Sequence, residues 1–177
     1  IGTTRGLHSF RRTPEGWRDE GTLPGFAENV RALAEGSDGT LWVSTLAHGL
    51  RRIEPAVGRN PPRITPLSAA HGLPAAFERS STIDWDGEPL VLLNTTAQPF
   101  RLDRATQRFN AFTPTASLPT GPFPDSWIAG STDLAGPEAL WLAGPPGIFH
   151  VPRVGGAPRR LPQIVTETLG AISCLRE

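Results

Sequence analysis

The chain of 177 residues has the composition of a folded globular protein and carries no net charge. Its residues are 38% hydrophobic and 19% charged, with 17 basic and 17 acidic side chains. Balanced charge produces no global field that would steer the protein to nucleic acid or to an anionic membrane, so nucleic acid is not an expected partner. No apolar run approaches the ~20 residues of a membrane-spanning helix, and the single cysteine, Cys174, excludes an internal disulfide.

One phrase recurs along the chain: a strand, a turn, a glycine with an aliphatic residue, and a second strand. Its copies begin at residues 1, 41, 90 and 140 and read IGTTRGLHSF, LWVSTLAHGLRRI, LVLLNTTAQPFRLD and LWLAGPPGIFHV. Glycine and proline contribute 19 residues each, an excess that favours many short strands joined by turns. Self-similarity at a nearly fixed period indicates a repeat architecture.

The copies can be aligned on Thr3, Thr45, Asn94 and Gly144, which are separated by 42, 49 and 50 residues. Residues 172–177 also repeat the pattern of residues 30–35. The chain is therefore expected to begin and end within repeats. The expected units are 1–24 (partial), 25–74, 75–120, 121–168 and 169–177 (partial).

Each repeat is predicted to contain four short strands. In the second repeat they span 30–34, 41–45, 49–53 and 63–66, with a hairpin turn at Asp38 and Gly39. In the third repeat they span 82–85, 90–94, 100–103 and 108–112, with a turn at Asp86 and Gly87.

The apolar run at 90–93 predicts how these sheets are packed, because a strand that is apolar at every position needs cover on both faces. The predicted fold class is all-β: a β-propeller segment of four-stranded antiparallel blades, with about three complete blades and partial blades at both ends. A β-helix is the competing repeat fold. It is less favoured because its coils are shorter and lack two-residue Asp-Gly hairpins.

Seven residues are assigned to the structure of the repeat. Trp42 and Trp141 occupy equivalent points of the second strand and are expected to fill the space between neighbouring blades. The other five belong to the turn that follows this strand: Thr3, Thr45, Gly6, Gly49 and Gly147.

Residues 30–45, which read VRALAEGSDGTLWVST, and the following His48, Gly49 and Leu50 closely resemble the two-component regulator propeller repeat. That family's pattern is an aliphatic strand, Asp-Gly, Leu-Trp-aliphatic-Gly-Thr, a short turn and Gly-Leu. Residues 1–10 match its second half, and residues 71–74, HGLP, resemble its connector. The copies around Asn94 and Trp141 depart from the pattern.

The resemblance implies the non-catalytic sensor part of a bacterial inner-membrane signal-transduction protein, with its propeller in the periplasm. The output domain in this family is commonly a histidine kinase or a diguanylate cyclase. The implied partners are a small-molecule, saccharide or peptide signal, the remaining blades and downstream signalling domains of the same chain, and a second copy in a homodimer. No cofactor is implied, and the four scattered histidines, His8, His48, His71 and His150, predict no metal site.

Candidate ligand-binding residues come from loops that gather at one face of a propeller, around its axis. Arg5 and His48 immediately precede the repeat's glycine and are expected to converge on a polar or anionic ligand. Arg79, in the connector after Gly72, and Trp127, after the proline-rich connector 113–125, are further candidates. The competing interpretation is that these are ordinary exposed loop residues. For Trp17, Trp85 and Trp127, packing between strands is favoured over stacking on a sugar or peptide.

Two other functions stay open at the level of sequence. Propeller repeats of this kind are similar to those of streptogramin lyase, and in such an enzyme His48 would be a candidate base. The third alternative is a protein-interaction platform without a small ligand.

Overall fold

The structure is a computed structural model of the chain. It describes residues 1–56, 61–75, 77, 80–85, 87–93, 96–112, 128–131, 139–144, 147–152 and 157–160. These residues form four antiparallel β-sheets and a single turn of 3-10 helix at Ala69–His71. Within them, no helix has the length and apolar character needed to cross a bilayer.

The sheets follow one another along the chain, and each is built from consecutive strands. Sheet 1 contains β1 (Gly2–Thr3), β2 (Gly6–Thr13) and β3 (Gly16–Thr22), and sheet 2 contains β4 (Val30–Glu35), β5 (Leu41–Thr45), β6 (Leu50–Glu54) and β7 (Arg63–Pro66). Sheet 3 contains β8 (Ser80–Trp85), β9 (Glu88–Leu93), β10 (Thr96–Asp103) and β11 (Arg108–Ala111), and sheet 4 contains β12 (Ile128–Ser131), β13 (Ala139–Gly144), β14 (Gly147–Pro152) and β15 (Arg159–Arg160).

The expectation of an all-β chain with four-stranded antiparallel sheets is confirmed. The strands predicted in the second and third repeats agree with those of the structure to within two residues at each end, except that β10 begins at Thr96, four residues earlier than predicted. The hairpin between β4 and β5 also forms as predicted. The Asp38 carboxylate accepts the Thr40 amide at 3.0 Å, and Gly39 has a φ of 80°.

Successive sheets contact each other mainly through their first strands, β4, β8 and β12. The described residues between the sheets form three apolar cores. Core 1, between sheets 1 and 2, contains Leu7, Phe26, Val43 and Ile53. Core 2, between sheets 2 and 3, includes Ala34, Trp42, Leu50, Leu73, Val91, Leu93, Leu102 and Phe109. Core 3, between sheets 3 and 4, contains Trp85, Leu90, Leu92, Phe112, Phe149 and Val151.

Strand β9 shows how the apolar run of the sequence is used. Val91 and Leu93 pack in core 2, whereas Leu90 and Leu92 pack in core 3. All four side chains are at most 2% exposed. The strand is therefore covered on both faces, as an apolar residue at every position requires.

The tryptophans differ in how deeply they are buried. Trp42 is 3% exposed and meets Phe109 edge-on, with 5.6 Å between ring centroids. Trp141 is half-buried and lies edge-on to His150 at 4.8 Å. Trp85 packs in core 3, in agreement with the packing interpretation, but Trp17 is 71% exposed on β3, where that interpretation is wrong.

Candidate functional site

The two ends of the sheets carry different connections. We call the end that carries the β1–β2 turn (residues 4–5) and the β5–β6 turn (residues 46–49) the loop edge. Because the strands are antiparallel, the turns at 36–40 and 104–107 and the residue Gly87 lie at the opposite end, which we call the hairpin edge. Arg5 and His48, the two sequence-predicted ligand residues in described turns, both lie at the loop edge.

A threonine holds each of these turns in the same way. The Thr45 hydroxyl donates to the Gly49 carbonyl at 2.8 Å and accepts the His48 amide at 3.0 Å. In sheet 1, the Thr3 hydroxyl donates to the Gly6 carbonyl at 2.9 Å and accepts the Arg5 amide at 3.1 Å. The repeated threonine thus fixes the backbone of the residue that precedes the glycine, and Arg5 and His48 occupy equivalent places.

The repeated glycine marks the point where the connector to the next sheet passes closest. Gly6 and Gly49 both have positive φ, 123° and 70°. A Cβ on Gly6 would lie 2.2 Å from the Phe26 carbonyl oxygen, and one on Gly49 would lie 2.7 Å from the Phe77 ring. A larger residue at either position would displace the connector that covers the loop edge.

The loop edge of sheet 2 contains an ion pair that the sequence did not indicate. Glu28, in the connector between sheets 1 and 2, accepts through Oε1 from Arg51 Nε at 3.0 Å and from Arg51 Nη2 at 2.9 Å. The side chains of Glu28 and Arg51 are 23% and 14% exposed. The Arg51 guanidinium also donates to the His48 carbonyl. Arg51 therefore joins the connector to the turn.

The second carboxylate oxygen of Glu28 is the acceptor at the loop edge that a ligand could use. Glu28 Oε2 is buried and has no hydrogen-bond partner among the described residues, and it lies 3.8 Å from His48 Nδ1. The His48 side chain is 61% exposed. A ligand N–H or O–H can therefore satisfy Glu28 Oε2 beside an accessible imidazole. We call Glu28, His48 and Arg51 the loop-edge cluster.

The other candidates are separate from this cluster. The Arg5 side chain is exposed, and no hydrogen bond or ion pair of its guanidinium is found in the described part of the chain, so the structure does not bring it onto His48. Arg79 and Trp127 lie outside the described residues. Across the described ranges, no three His, Cys, Asp or Glu side chains are grouped to hold a metal ion.

An apolar groove of ≈ 850 Å³ lies between sheets 1 and 2 and extends to the hairpin edge. Phe10, Trp17 and Leu33 line it and are 40%, 71% and 37% exposed. His8 and Glu20 add polar groups to its wall. Sequence reasoning missed this groove, although Trp17, outside the repeat pattern, was the available signal.

No protein family and no curated protein matches the sequence. Among the solved structures that match the fold are two of the extracellular domain of BT4673 from B. thetaiotaomicron. The structure described as a hybrid two-component system covers 90% of this chain with a TM-score of 0.62 and 20% identity. The structure described as a one-component system covers 84% with a TM-score of 0.58 and 21% identity. The chain spans about a fifth of the length of these domains, 20% and 19%. This chain and the matching parts of the BT4673 domain thus share a fold.

Proposed function

We propose that this chain is a β-propeller segment from the periplasmic sensor region of a bacterial membrane-bound signalling protein, and that it contributes to signal recognition without catalysing a reaction. The observation that carries the proposal is the fold match to an extracellular domain of a two-component system over 90% of the chain. The repeat pattern supports it independently, because it resembles the propeller repeat of the same class of receptors.

Three features of the structure support the propeller. Four-stranded antiparallel sheets follow one another along the chain, their first strands lie side by side, and apolar cores fill the gaps between neighbours. Sheets stacked face to face around an axis have these relations. We therefore regard sheets 2, 3 and 4 as consecutive blades.

Within this proposal, the loop-edge cluster recognises the signal. The buried oxygen Glu28 Oε2 provides an acceptor, and the exposed His48 provides a donor or an acceptor according to its protonation. Such a pair suits a small polar molecule, a saccharide or a peptide that offers both kinds of group. Transmission then requires that the ligand bind two states of the receptor unequally.

One observation favours a second candidate, a lyase-like enzyme. A carboxylate that faces a histidine ring nitrogen at 3.8 Å has the arrangement of a base and the group that orients it, although the distance exceeds that of a hydrogen bond. In that case His48 would take a proton from a bound substrate. The two candidates differ in whether the ligand is released unchanged.

The test uses the full-length protein in its own bacterium, with phosphorylation of the signalling output measured against graded dilutions of the growth medium that activates it. Glu28→Gln and His48→Ala should each shift the half-maximal dilution by about tenfold or more, because the first removes the charge of the acceptor and the second removes a hydrogen-bonding group. The control is Arg63→Ala, whose side chain is 79% exposed at the opposite end of sheet 2. Unchanged dose responses in both loop-edge variants would overturn the site.

Location and chemistry are tested separately. An epitope inserted between Pro14 and Glu15, in the exposed β2–β3 hairpin, should be reached by antibody on the periplasmic side of the inner membrane. Detection only after lysis of the inner membrane would contradict the periplasmic assignment. Loss of ligand from the medium in the presence of the wild type, but not of His48→Ala, would favour the enzyme.

A further inference from the structure

A small polar cavity lies at the hairpin edge between sheets 2 and 3, at the opposite end of the strands from the loop-edge cluster. Its volume is ≈ 220 Å³, and Asp38, Trp42, Arg52, Glu88 and Arg104 are among the residues that line it. This volume is below the ~300 Å³ at which typical ligand pockets begin. It equals roughly seven molecules of liquid water at about 30 Å³ each, so an occupant has only a few non-hydrogen atoms.

Two buried N–H groups belong to residues of the cavity wall, and neither has an acceptor in the part of the chain that the structure describes. Trp42 is 3% exposed, and its Nε1 has no hydrogen-bond partner within the described ranges. Arg52 Nε is likewise buried and unpartnered there. A buried donor is costly to leave without an acceptor, so a cavity beside two of them is suited to a molecule that provides one.

The rest of the Arg52 guanidinium is already held in place. Its Nη1 donates to Gln107 Oε1 at 3.0 Å, its Nη2 pairs with Glu54 Oε1 at 3.0 Å, and its carbon lies 5.7 Å from the centroid of the Trp42 ring. These contacts fix the guanidinium against the indole. The free Nε–H is therefore preorganised to bind an acceptor, which reduces the entropy cost of binding.

The charges of the cavity are balanced. Arg104 pairs with Glu88 and donates to Ser37 Oγ at 2.6 Å. Asp38 is exposed, and the pKa of its carboxyl is held below the usual 3.8 first by the Thr40 amide, then by the Thr40 hydroxyl and after it by the charge of Arg104. The cavity therefore combines buried donors with an ionised carboxylate that is open to solvent. Two carboxylates disfavour a dianion, and the unpartnered donors disfavour a simple cation.

We propose that this cavity binds a small zwitterion, a free α-amino acid of the size of glycine or alanine. The carboxylate of the ligand accepts from Trp42 Nε1–H and Arg52 Nε–H, and its ammonium group faces Asp38. Charge-assisted hydrogen bonds at both ends explain why a molecule of so few atoms would be held. The site is separate from the loop-edge cluster and does not rest on the proposed function.

Sheet 4 provides an internal reference for this site. Trp141 Nε1 is also buried without a partner among the described residues, but the residue paired with Trp141 across the strands is His150. In sheet 2, the residue paired with Trp42 is Arg52. The second donor of the proposed site thus has no equivalent at Trp141, so the Trp141 indole should not respond to the same ligand.

The direct test follows the indole N–H signals of the full chain by two-dimensional ¹H–¹⁵N NMR during a glycine titration. Trp42→Phe and Trp141→Phe identify the two resonances by their loss. The Trp42 signal should shift saturably with glycine, and the Trp141 signal should stay in place. Propionate and ethylamine, which each carry only one of the two charges, should not shift the Trp42 signal. The proposal would be overturned if the Trp42 signal showed no saturable shift with glycine, which would mean that water fills the cavity. It would also be overturned if propionate shifted the Trp42 signal as much as glycine does.

Substitutions then test the two ends of the ligand. Asp38→Asn lies at an exposed position and should weaken glycine binding by about tenfold or more without unfolding the chain. Arg52→Met removes the Nε–H and should weaken glycine binding by at least as much. The matched control is Arg63→Met, since Arg63 shares the Glu54 partner of Arg52 but does not line the cavity. Wild-type glycine affinity in Asp38→Asn would overturn the proposed orientation whatever the outcome for Arg52→Met.

Discussion

The two junctions on either side of sheet 2 are packed differently. Between sheets 2 and 3, Trp42 extends from β5 to the edge of the Phe109 ring and is almost fully buried in core 2. Between sheets 1 and 2, core 1 is built from smaller side chains, Leu7, Phe26, Val43 and Ile53, and the same end of the sheets opens into the groove of ≈ 850 Å³. In the filled junction, the large side chain of the repeated position thus occupies the space between the sheets.

The polar contacts also differ between the two junctions. The hairpin edges of sheets 2 and 3 are joined by Arg104, which donates to Ser37 Oγ, and by the Ser37 amide, which donates to the Gly87 carbonyl at 3.1 Å. On the other side of sheet 2, the contacts with the connector lie at the loop edge instead, where Arg51 pairs with Glu28 at 2.9 Å. The filled junction is therefore closed at the end where the other junction opens.

The largest effect on stability should come from removing the buried tryptophan of the filled junction, compared with removing an exposed tryptophan of the open one. Trp42→Ala should lower the free energy of unfolding by about 3–5 kcal/mol, because it removes a fully buried ring and leaves a cavity in core 2. Trp17→Ala, on the wall of the open groove, should change it by at most about 0.5 kcal/mol. Chemical denaturation of the two variants measures the difference. Equal losses would mean that the groove is closed in solution and Trp17 is buried there.

A smaller effect should come from two glycines of sheet 1 that have nearly the same φ. Gly6 and Gly16 have φ values of 123° and 129°, but only Gly6 has an atom, the Phe26 carbonyl oxygen, close to the position of a Cβ. Gly16→Ala should therefore cost only backbone strain, about 1–3 kcal/mol. Gly6→Ala should cost about 1–3 kcal/mol more, because the connector must also move. Thermal unfolding compares the stability of the two variants. If Gly6→Ala loses no more stability than Gly16→Ala, the connector moves aside without a measurable cost.

The features that were predictable from sequence are those that recur. Strand positions, the Asp38–Gly39 hairpin and the two-sided cover of β9 depend on local propensity and on the period of apolar residues, and these signals repeat along the chain. The repeated threonine and glycine could be recognised as structural before their hydrogen bonds were known, because both occupy the same place relative to the turn.

The features that were missed depend on the path of the connectors. Glu28 and Arg51 are 23 residues apart, and no spacing rule joins a connector residue to the side chain of a later strand. The sequence placed His48 in the turn between the second and third strands, where the structure has it, but indicated neither the carboxylate beside it nor the groove beside Trp17. Side chains that meet between sheets are determined by three-dimensional packing rather than by period.

The smallest effect concerns the polar rim of the open groove. The pKa of the Asp19 carboxyl lies below its usual 3.8, first because of the hydrogen bond with the His8 side chain and then because of the Gly21 amide. A lowered pKa in the folded state adds stability that is present above pH 3.8 and is lost as the pH falls through the folded value. Because Asp19 is exposed, this contribution is small.

A carboxyl ¹³C NMR titration should show the Asp19 pKa moving up toward 3.8 in His8→Ala. It should move only part of the way, since the Gly21 amide still donates. The stability difference between the wild type and Asp19→Asn should narrow over the same acidic range. A pKa unchanged by His8→Ala would show that the imidazole does not hold the carboxylate.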